Sequence, residues 1–294
     1  MCRPDLAYGG HQLSIRNSKG TIEDMKFANS VVKKAKSRPS KVVYRNIGKA
    51  EDLVVYGFTD AQFKSGQKST SGQIILIGSK ENDNIVPVLW KTKLIKKACR
   101  SAKDAETISL EESIDMATFT AQQLEEIIYG KRDGERFKST IFTDSASAIA
   151  SVVSSKEVEN RSIRSYVEIV KENLEEQKVD KIVWVDDRKM IADILTKEKV
   201  TKVGLEEMLR DGRLRCVKER KYYVYHDSKD FVTVGKALKE KIFKTNTTVP
   251  IRKKLAKTQT SLKKAKEEAD SIKELSKSED EVETEGETEA EIDD

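Results

Sequence analysis

The chain has 294 residues, with 55 lysines and arginines, 50 aspartates and glutamates, and a formal net charge of +5. Its cysteines, Cys2, Cys99 and Cys216, form no CxxC motif, which argues against a disulfide framework and a zinc site. No apolar run reaches the roughly 20 residues of a membrane span, and the N-terminus lacks the apolar core of a signal peptide. We therefore expect a soluble intracellular protein with no membrane partner, whose basic balance suits a polyanionic ligand.

A helix and then a strand are predicted in the first sixty residues. The apolar spacing over Thr21 to Lys36 predicts a helix, whose apolar side holds Met25, Ala28, Val32 and Ala35. Large and small residues alternate along Leu53 to Thr59, which is typical of a strand. The strand ends at Asp60, whose carboxylate is expected on the same face as Phe58.

Two more strands are predicted next. The polar run from Lys64 to Gly72 predicts a loop, and the apolar run from Ile74 to Ile77 predicts a second, antiparallel strand. A third strand, Ile85 to Trp90, contains Pro87, which favours an edge or a bulge because proline cannot donate to a ladder. A basic loop is predicted after it, with Lys91, Lys93, Lys96, Lys97 and Arg100.

Helices alternating with strands are predicted from Ser101 onward. Apolar residues recur at steps of three and four from Ser101 to Tyr129, which predicts a long helix with Glu106 in its first turns. Ser101 and Asp104 resemble a capping box. A short strand then ends at Asp144. The remaining elements are a helix after Asp144, a helix over Arg161 to Gln177, a strand over Lys181 to Val185 and a short helix carrying Asp193.

This order predicts an α/β fold, a mixed five-stranded sheet with flanking helices. Parallel neighbouring strands point the same way, so Asp60 and Asp144 are expected at one edge of the sheet. Together with Glu106 and Asp193 they provide hard oxygen donors from separate elements, which suit Mg²⁺ or Mn²⁺. Two such ions can hold an attacking water and a leaving oxygen in line on a phosphodiester.

Several short motifs resemble the ribonuclease H domain of copia-type LTR retrotransposon polyproteins. They are GFTDAQF around Asp60, KSTSG from Lys68 to Gly72, DAE ending at Glu106, FTDSASAIA around Asp144 and MIADILTK around Asp193. Trp90 resembles the tryptophan that closes the third strand of the family. RPDLAYGGHQLS, from Arg3 to Ser14, resembles the stretch where the reverse transcriptase passes into its connection to ribonuclease H.

The resemblance implies a ribonuclease H-like fold in which Asp60, Glu106, Asp144 and Asp193 are catalytic and bind two divalent cations, Mg²⁺ or Mn²⁺. The implied activity is cleavage of the RNA strand of an RNA–DNA hybrid. Lys68 and the basic loop, with Lys91, Lys93, Lys96, Lys97 and Arg100, are expected to contact backbone phosphates. The implied partner is the reverse transcriptase portion of the same element, and the implied location is cytoplasmic, in a virus-like particle, or nuclear.

The chain departs from the family pattern at two places. ENRSIRSY stands where the family carries a histidine, and the only histidines are His11 and His226, so a histidine that assists turnover has no counterpart. Ser145 and Ala146 stand where the family usually has Asn-Gln. A rival hypothesis is an inactive product of a truncated element that acts as a nucleic-acid-binding or interaction module. An integrase- or resolvase-type nuclease acting on DNA is a further alternative, which KSTSG and ADILTK do not favour.

The resemblance implies the first two of four segments along the chain, and composition predicts the last two. Residues 1–48 are expected to be a remnant of the reverse-transcriptase connection, 49–200 the ribonuclease H-like domain, and 201–250 a small basic extension. Residues 251–294 are expected to hold a charged helix and an acidic tail. The tail, from Glu279, contains no basic residue, so self-repulsion should keep it disordered.

Overall fold

The computed structural model describes residues 3–16, 20–37, 41–132, 134, 136–153, 160–185, 187–198, 203–214 and 223–225. The predicted charged helix and acidic tail, residues 251–294, lie outside the described residues, as does most of the predicted basic extension.

A mixed sheet forms the centre of the fold. Its long strands are β1 (Leu53–Gln62), β2 (Thr70–Ser79), β3 (Ile85–Leu94), β4 (Ser139–Thr143) and β5 (Val179–Trp184). Their order is β3-β2-β1-β4-β5, and a three-residue strand, β6 (Tyr223–Tyr225), pairs with the outer edge of β5. The pairs β1–β2, β2–β3 and β5–β6 are antiparallel, whereas β1–β4 and β4–β5 are parallel. The predicted mixed five-stranded sheet with flanking helices is confirmed, and β6 extends it.

Helices cover the sheet. The α-helices of the described residues are α1 (Ala7–Arg16), α2 (Ile22–Ser37), α3 (Ala102–Tyr129), α4 (Ala146–Val153), α5 (Arg161–Glu175) and α6 (Val203–Asp211). The long helix α3 packs on β1, β2 and β4, and α5 packs on α3. A 3₁₀ helix, Ile191–Leu195, packs on β1 and β2. Within the described ranges, no helix has both the length and the apolar composition that crossing a membrane requires.

The main apolar cluster contains Phe58 of β1, Ile74 of β2 and Phe142 of β4. Phe58 and Phe142, on the parallel strands β1 and β4, stack with ring centroids 4.4 Å apart. Ala7 of α1 and Leu209 of α6 belong to the same cluster. Burial of one such large apolar side chain typically stabilises a fold by about 1.5–3 kcal/mol, so these contacts hold α1 and α6 to the sheet.

Strand β3 lies at an edge of the described sheet, as Pro87 predicted, and the register shifts between Ile75 and Leu76, where Pro87 pairs. The strand continues through Leu94, so the prediction that Lys91 and Lys93 lie in a loop was wrong. Likewise, β2 begins at Thr70 rather than after Gly72. These two polar stretches pair with each other in an antiparallel ladder, and their polarity made them resemble loops.

The apolar side predicted for α2 was confirmed at Ala28 and Ala35, which are half-buried, and wrong at Met25 and Val32. Met25 and Val32 are 69% and 53% exposed, and no residue of this helix is buried. The contact with α1 is made instead at Val31, whose Cγ2 would lie 2.9 Å from a β-carbon built on Gly9. Arg16 of α1 also pairs with Asp24 of α2 at 2.9 Å, so the two helices are joined by an apolar and an ionic contact.

Candidate metal centre

Asp60 and Asp144 come together because β1 and β4 are parallel and in register. Thr59 pairs with Thr143, and each is followed directly by one of the two aspartates. Asp60 is 1% exposed and Asp144 is half-buried. The carboxyl ends of parallel strands meet at one edge of a sheet, which is where ligands commonly bind in α/β folds.

Asp193 reaches the same edge through the 3₁₀ helix. Ile191, Ala192, Ile194 and Leu195 are all buried, so the helix is anchored on both sides of Asp193. It lies directly against Gly72, the β2 partner of Asp60. A β-carbon on Gly72 would be 2.7 Å from Leu195 Cβ, so only glycine permits this approach.

One carboxylate oxygen from each of Asp60, Asp144 and Asp193 lies within 4.8 Å of the others. Such a set of hard oxygen donors fits Mg²⁺ or Mn²⁺. Glu106 is outside this group of three, although burial and then the nearby charges of Asp60 and Asp144 raise its pKa. Its Oε2 is buried without a hydrogen-bond partner among the described residues. A buried oxygen of this kind is costly unless it is paired, and a cation would supply the partner.

Hydrogen bonds fix the position of Glu106 on α3 relative to β1. The Thr59 hydroxyl donates to the Ser109 carbonyl at 2.9 Å, and the Ser109 hydroxyl donates to the Asp60 carbonyl at 3.0 Å. Both contacts are buried and lie one helical turn after Glu106. They hold the first turns of α3 against the strand that carries Asp60.

The four carboxylates repel one another in this buried setting. Burial, followed by the charges of Asp60 and Asp193, raises the pKa of Asp144 to about 7. Burial and then the charge of Asp60 raise the pKa of Asp193 to about 6. Burial, Asp60 and Asp144 raise the pKa of Glu106 well above its ordinary value. Cations bound among these groups would relieve the repulsion.

Two residues that the sequence reasoning did not select, Thr196 and Lys197, also contact the cluster. Lys197 Nζ lies 2.8 Å from Asp193 Oδ1 and 3.3 Å from Asp60 Oδ1. Burial alone would lower the pKa of Lys197, but Asp60 and Asp193 raise it above its ordinary value. The Thr196 hydroxyl donates to Asp60 Oδ2. The sequence offers one indication of the contact between Lys197 and Asp193. Lys197 follows Asp193 by four residues, a spacing that brings side chains together on one side of a helical turn.

Asp104, the other acid of the DAE motif, has a structural environment. Its carboxylate accepts hydrogen bonds from the Arg100 backbone at 3.0 Å and from Asn160 Nδ2 at 2.9 Å. The Ser101 and Ser162 hydroxyls also donate to it. Ser101 caps α3, as predicted, and Asn160 caps α5. Asp104 therefore ties the beginnings of these two helices together.

The basic residues predicted to contact phosphates lie in different environments. Lys93 is paired with Glu112 of α3, and Lys97 donates to the Ser162 carbonyl while its ammonium lies over the Tyr166 ring. Lys97 is nevertheless exposed, as are the other members of the predicted set, namely Lys68, Lys91, Lys96 and Arg100.

Neither histidine is found in the carboxylate cluster within the described part of the chain. His11 lies on α1, where burial and then the charge of Lys64 lower its pKa. His226 lies outside the described residues.

Comparison with known proteins gives similarities of fold. No protein-family model and no curated protein matches the chain. RNase H1 from the halophilic archaeon Halobacterium salinarum is similar at 15% identity, over 52% of this chain and 98% of its own, with a TM-score of 0.37. The N-terminal RNase H domain of a Mycobacterium tuberculosis protein is similar at 14% identity, over 49% of this chain and 91% of its own, with a TM-score of 0.35. A foamy viral protease-reverse transcriptase in complex with dsDNA is similar at 15% identity, over 58% of this chain and 96% of its own, with a TM-score of 0.30.

Proposed function

We propose that this chain is a ribonuclease H-type endonuclease that hydrolyses the RNA strand of RNA–DNA hybrids with two divalent cations, Mg²⁺ or Mn²⁺. The observation that carries the proposal is the convergence of Asp60, Asp144 and Asp193, whose carboxylate oxygens lie within 4.8 Å of one another. Glu106 is the fourth member of the proposed site. All four lie in the motifs that resemble the ribonuclease H domain.

The proposed roles follow from the charges of the four carboxylates. When bound, divalent cations neutralise charge on the scissile phosphate and make a bound water a stronger nucleophile. Asp60 is the charged neighbour that acts on the pKa of Glu106, Asp144 and Asp193 alike, so it would contribute to the whole centre. Asp193 and Asp144 would complete the ligand set from the opposite sides of β1.

The proposed substrate is an RNA–DNA hybrid, so the active site must distinguish the RNA strand from the DNA strand. The RNA strand differs by its 2′-hydroxyl groups, and the groove shape of the hybrid differs from that of DNA. The exposed residues Lys68, Lys91, Lys96 and Arg100 would contact backbone phosphates and make binding sensitive to salt. We propose Lys93 and Lys97 for the same surface, each exchanging its internal contact for a phosphate.

The proposed origin is the Pol polyprotein of a copia-type retrotransposon, and the motifs of the sequence support it. In this proposal residues 1–48 are the end of the reverse-transcriptase connection and 49–200 the ribonuclease H-like domain. Residues 201–250 are a basic extension and 251–294 a charged helix and acidic tail. The reverse transcriptase portion of the same element is the proposed protein partner.

The test is cleavage of an end-labelled RNA–DNA hybrid by the full 294-residue chain. We expect loss of the RNA strand with Mg²⁺ or Mn²⁺ and none with a chelator. Asp144→Asn should lower the rate at least about 100-fold, since metal-assisted stabilisation of the transition state amounts to several kcal/mol. Asp180→Asn is the matched control, because Asp180 is exposed on β5 and pairs only with the neighbouring Lys181 among the described contacts.

Other results would replace the proposal. If the hybrid stays intact but binds in a salt-sensitive way, the chain is a nucleic-acid-binding module. If duplex DNA is cut and the hybrid is not, a DNA nuclease of the integrase or resolvase type is favoured.

A further inference from the structure

An ammonium group is already present among the proposed metal ligands. Lys197 Nζ contacts Oδ1 of Asp193 at 2.8 Å and Oδ1 of Asp60 at 3.3 Å. Those two residues belong to the group of three whose oxygens could hold one cation. Lys197 therefore neutralises part of the charge that a divalent cation would neutralise.

Lys197 and a divalent cation compete for the same carboxylate oxygens of Asp60 and Asp193. Mg²⁺ requires oxygen ligands at about 2.0–2.1 Å in nearly octahedral geometry, so it takes up the lone pairs of the carboxylates that it binds. The ammonium would also be a like charge a few ångströms from the metal, and such repulsion is strong in a partly buried site. Binding of cations therefore competes with the ion pairs of Lys197.

The surroundings of Lys197 leave room for it to move. Its side chain is 35% exposed, whereas that of Asp60 is 1% exposed. Lys197 also lines a cavity of about 200 Å³ between α1, α2 and the segment after the 3₁₀ helix. Glu198 lines the same cavity and offers a carboxylate to a displaced ammonium, and Tyr8 offers a hydroxyl.

We propose that Lys197 is a positioning residue that serves as the internal counter-ion of the metal-free cluster. By competing for Asp60 and Asp193 it lowers the affinity for divalent cations, and its ammonium moves out of the cluster when they bind. The cavity lined by Glu198 receives it. The proposal rests on the proposed function, because it requires that the carboxylates bind cations.

The first experiment is calorimetric titration of Mg²⁺ into the full chain and its variants, without nucleic acid. Lys197→Met removes the charge and keeps the aliphatic stem, and we expect it to bind Mg²⁺ at least about fivefold more tightly. Lys197→Arg retains the charge and should stay within about twofold of the original affinity. Lys178→Met is the control. Lys178 pairs with Glu176 just before β5 begins, whereas Asp144 lies at the edge of the sheet where β4 and β5 end.

The second experiment uses the original protein and so does not depend on the folding of a variant. Lysines are acylated briefly with and without Mg²⁺, and the modified peptides are quantified by mass spectrometry. We expect acylation of Lys197 to rise when Mg²⁺ is present, because the ammonium has left the carboxylates. Acylation of Lys178 should not change.

The outcomes separate this inference from the proposed function. If Mg²⁺ binds but neither Lys197→Met nor acylation shows the expected change, the counter-ion role is overturned and the nuclease proposal stands. If neither the original protein nor Lys197→Met binds Mg²⁺ and hybrid is not cleaved, both proposals fall together.

Discussion

Leu195 packs on Gly72 with no space between them for a side chain. A β-carbon on Gly72 would lie 2.7 Å from Leu195 Cβ and 2.8 Å from Thr196 Cγ2. Asp193 lies two residues before Leu195, and Asp60 pairs with Gly72 across the ladder. The glycine of the KSTSG motif therefore acts at the proposed metal centre through packing, although it has no side chain to bind a ligand.

We expect Gly72→Ala to push the 3₁₀ helix away from β2 and to weaken Mg²⁺ binding. Leu195 Cβ is fixed by the backbone, and Thr196 Cγ2 can rotate away only if the Thr196 hydroxyl leaves Asp60, so destabilisation of about 1–3 kcal/mol is expected, as for other overpacked sites. Urea unfolding and calorimetric titration would measure the two effects. Gly20→Ala is the matched control, because a β-carbon there meets nothing within 4 Å. Unchanged Mg²⁺ affinity in Gly72→Ala would show that this contact does not position Asp193.

The metal-free protein should become less stable as the pH rises from about 4 to about 7. The pKa of Asp144 is raised to about 7 and that of Asp193 to about 6, from an ordinary value near 4. The folded protein therefore binds more protons than the unfolded chain within this window, and the stabilisation present at low pH is lost as the pH rises. Urea unfolding in a chelator at several pH values would measure it.

Comparison with Asp144→Asn isolates the contribution of the cluster to this pH dependence. The variant lacks one of the repelling carboxylates, so its stability should fall less steeply over the same window. It should also be more stable than the original protein above pH 7 without metal, by on the order of 1 kcal/mol or about 2–4 °C in Tm. Parallel pH profiles for the two proteins would contradict the assignment of the shifted pKa to Asp144.

Asp104 and Glu106 should behave in opposite ways when they are replaced. Asp104→Ala leaves the Arg100 backbone N–H and the Asn160 amide without their acceptor, so we expect a loss of roughly 2–3 kcal/mol of stability with Mg²⁺ affinity retained. Glu106→Gln should keep the stability and lose most of the Mg²⁺ affinity. Unfolding curves and titrations of both variants would test the assignment. Loss of Mg²⁺ binding in a folded Asp104→Ala protein would refute it.

Exposed and paired lysines should differ in their effect on hybrid binding. Lys96→Gln removes an exposed charge, so it should lower the slope of log affinity against log salt by about 1 without a change in stability. Lys93→Gln should instead cost up to about 1 kcal/mol of stability, since Glu112 loses its partner in a partly exposed pair. Fluorescence anisotropy over a range of salt concentrations would separate them. An unchanged slope for Lys96→Gln would place that residue outside the binding surface.

Much of the fold could be predicted because its local patterns agree with its tertiary packing. The three-four spacing of α3 corresponds to a buried face, with Ile114 fully covered, and the alternation along β1 separates Phe58, in the main apolar cluster, from Thr59, which contacts α3. Pro87 indicated an edge strand because proline lacks the donor that a central strand needs. The motifs could also select Asp60 and Asp144, since β1 and β4 are parallel and the residues directly after the paired Thr59 and Thr143 lie side by side.

The remaining features depend on contacts between distant segments. Thr70 to Gln73 pairs with Lys91 to Leu94, and neither stretch is apolar enough to indicate a strand alone. The orientation of α2 depends on contacts with other segments, among them the approach of Val31 to Gly9 and the hydrogen bond from Lys34 Nζ to the Asp5 carbonyl. The position of Lys197 depends on how the 3₁₀ helix lies against Gly72, so its spacing from Asp193 could not show that Asp60 is a second partner.

Trp184 provides the protein with an optical reporter of its acidic centre. Its indole N–H donates to the Asp144 carbonyl at 2.8 Å, so the ring is attached to the backbone of a proposed ligand. The chain has only two tryptophans, and the other is Trp90 on β3. In a Trp90→Phe variant the intrinsic emission would come from Trp184 alone. Rearrangement at Asp144 could then be followed in real time in an unlabelled protein, with stopped-flow mixing and no substrate.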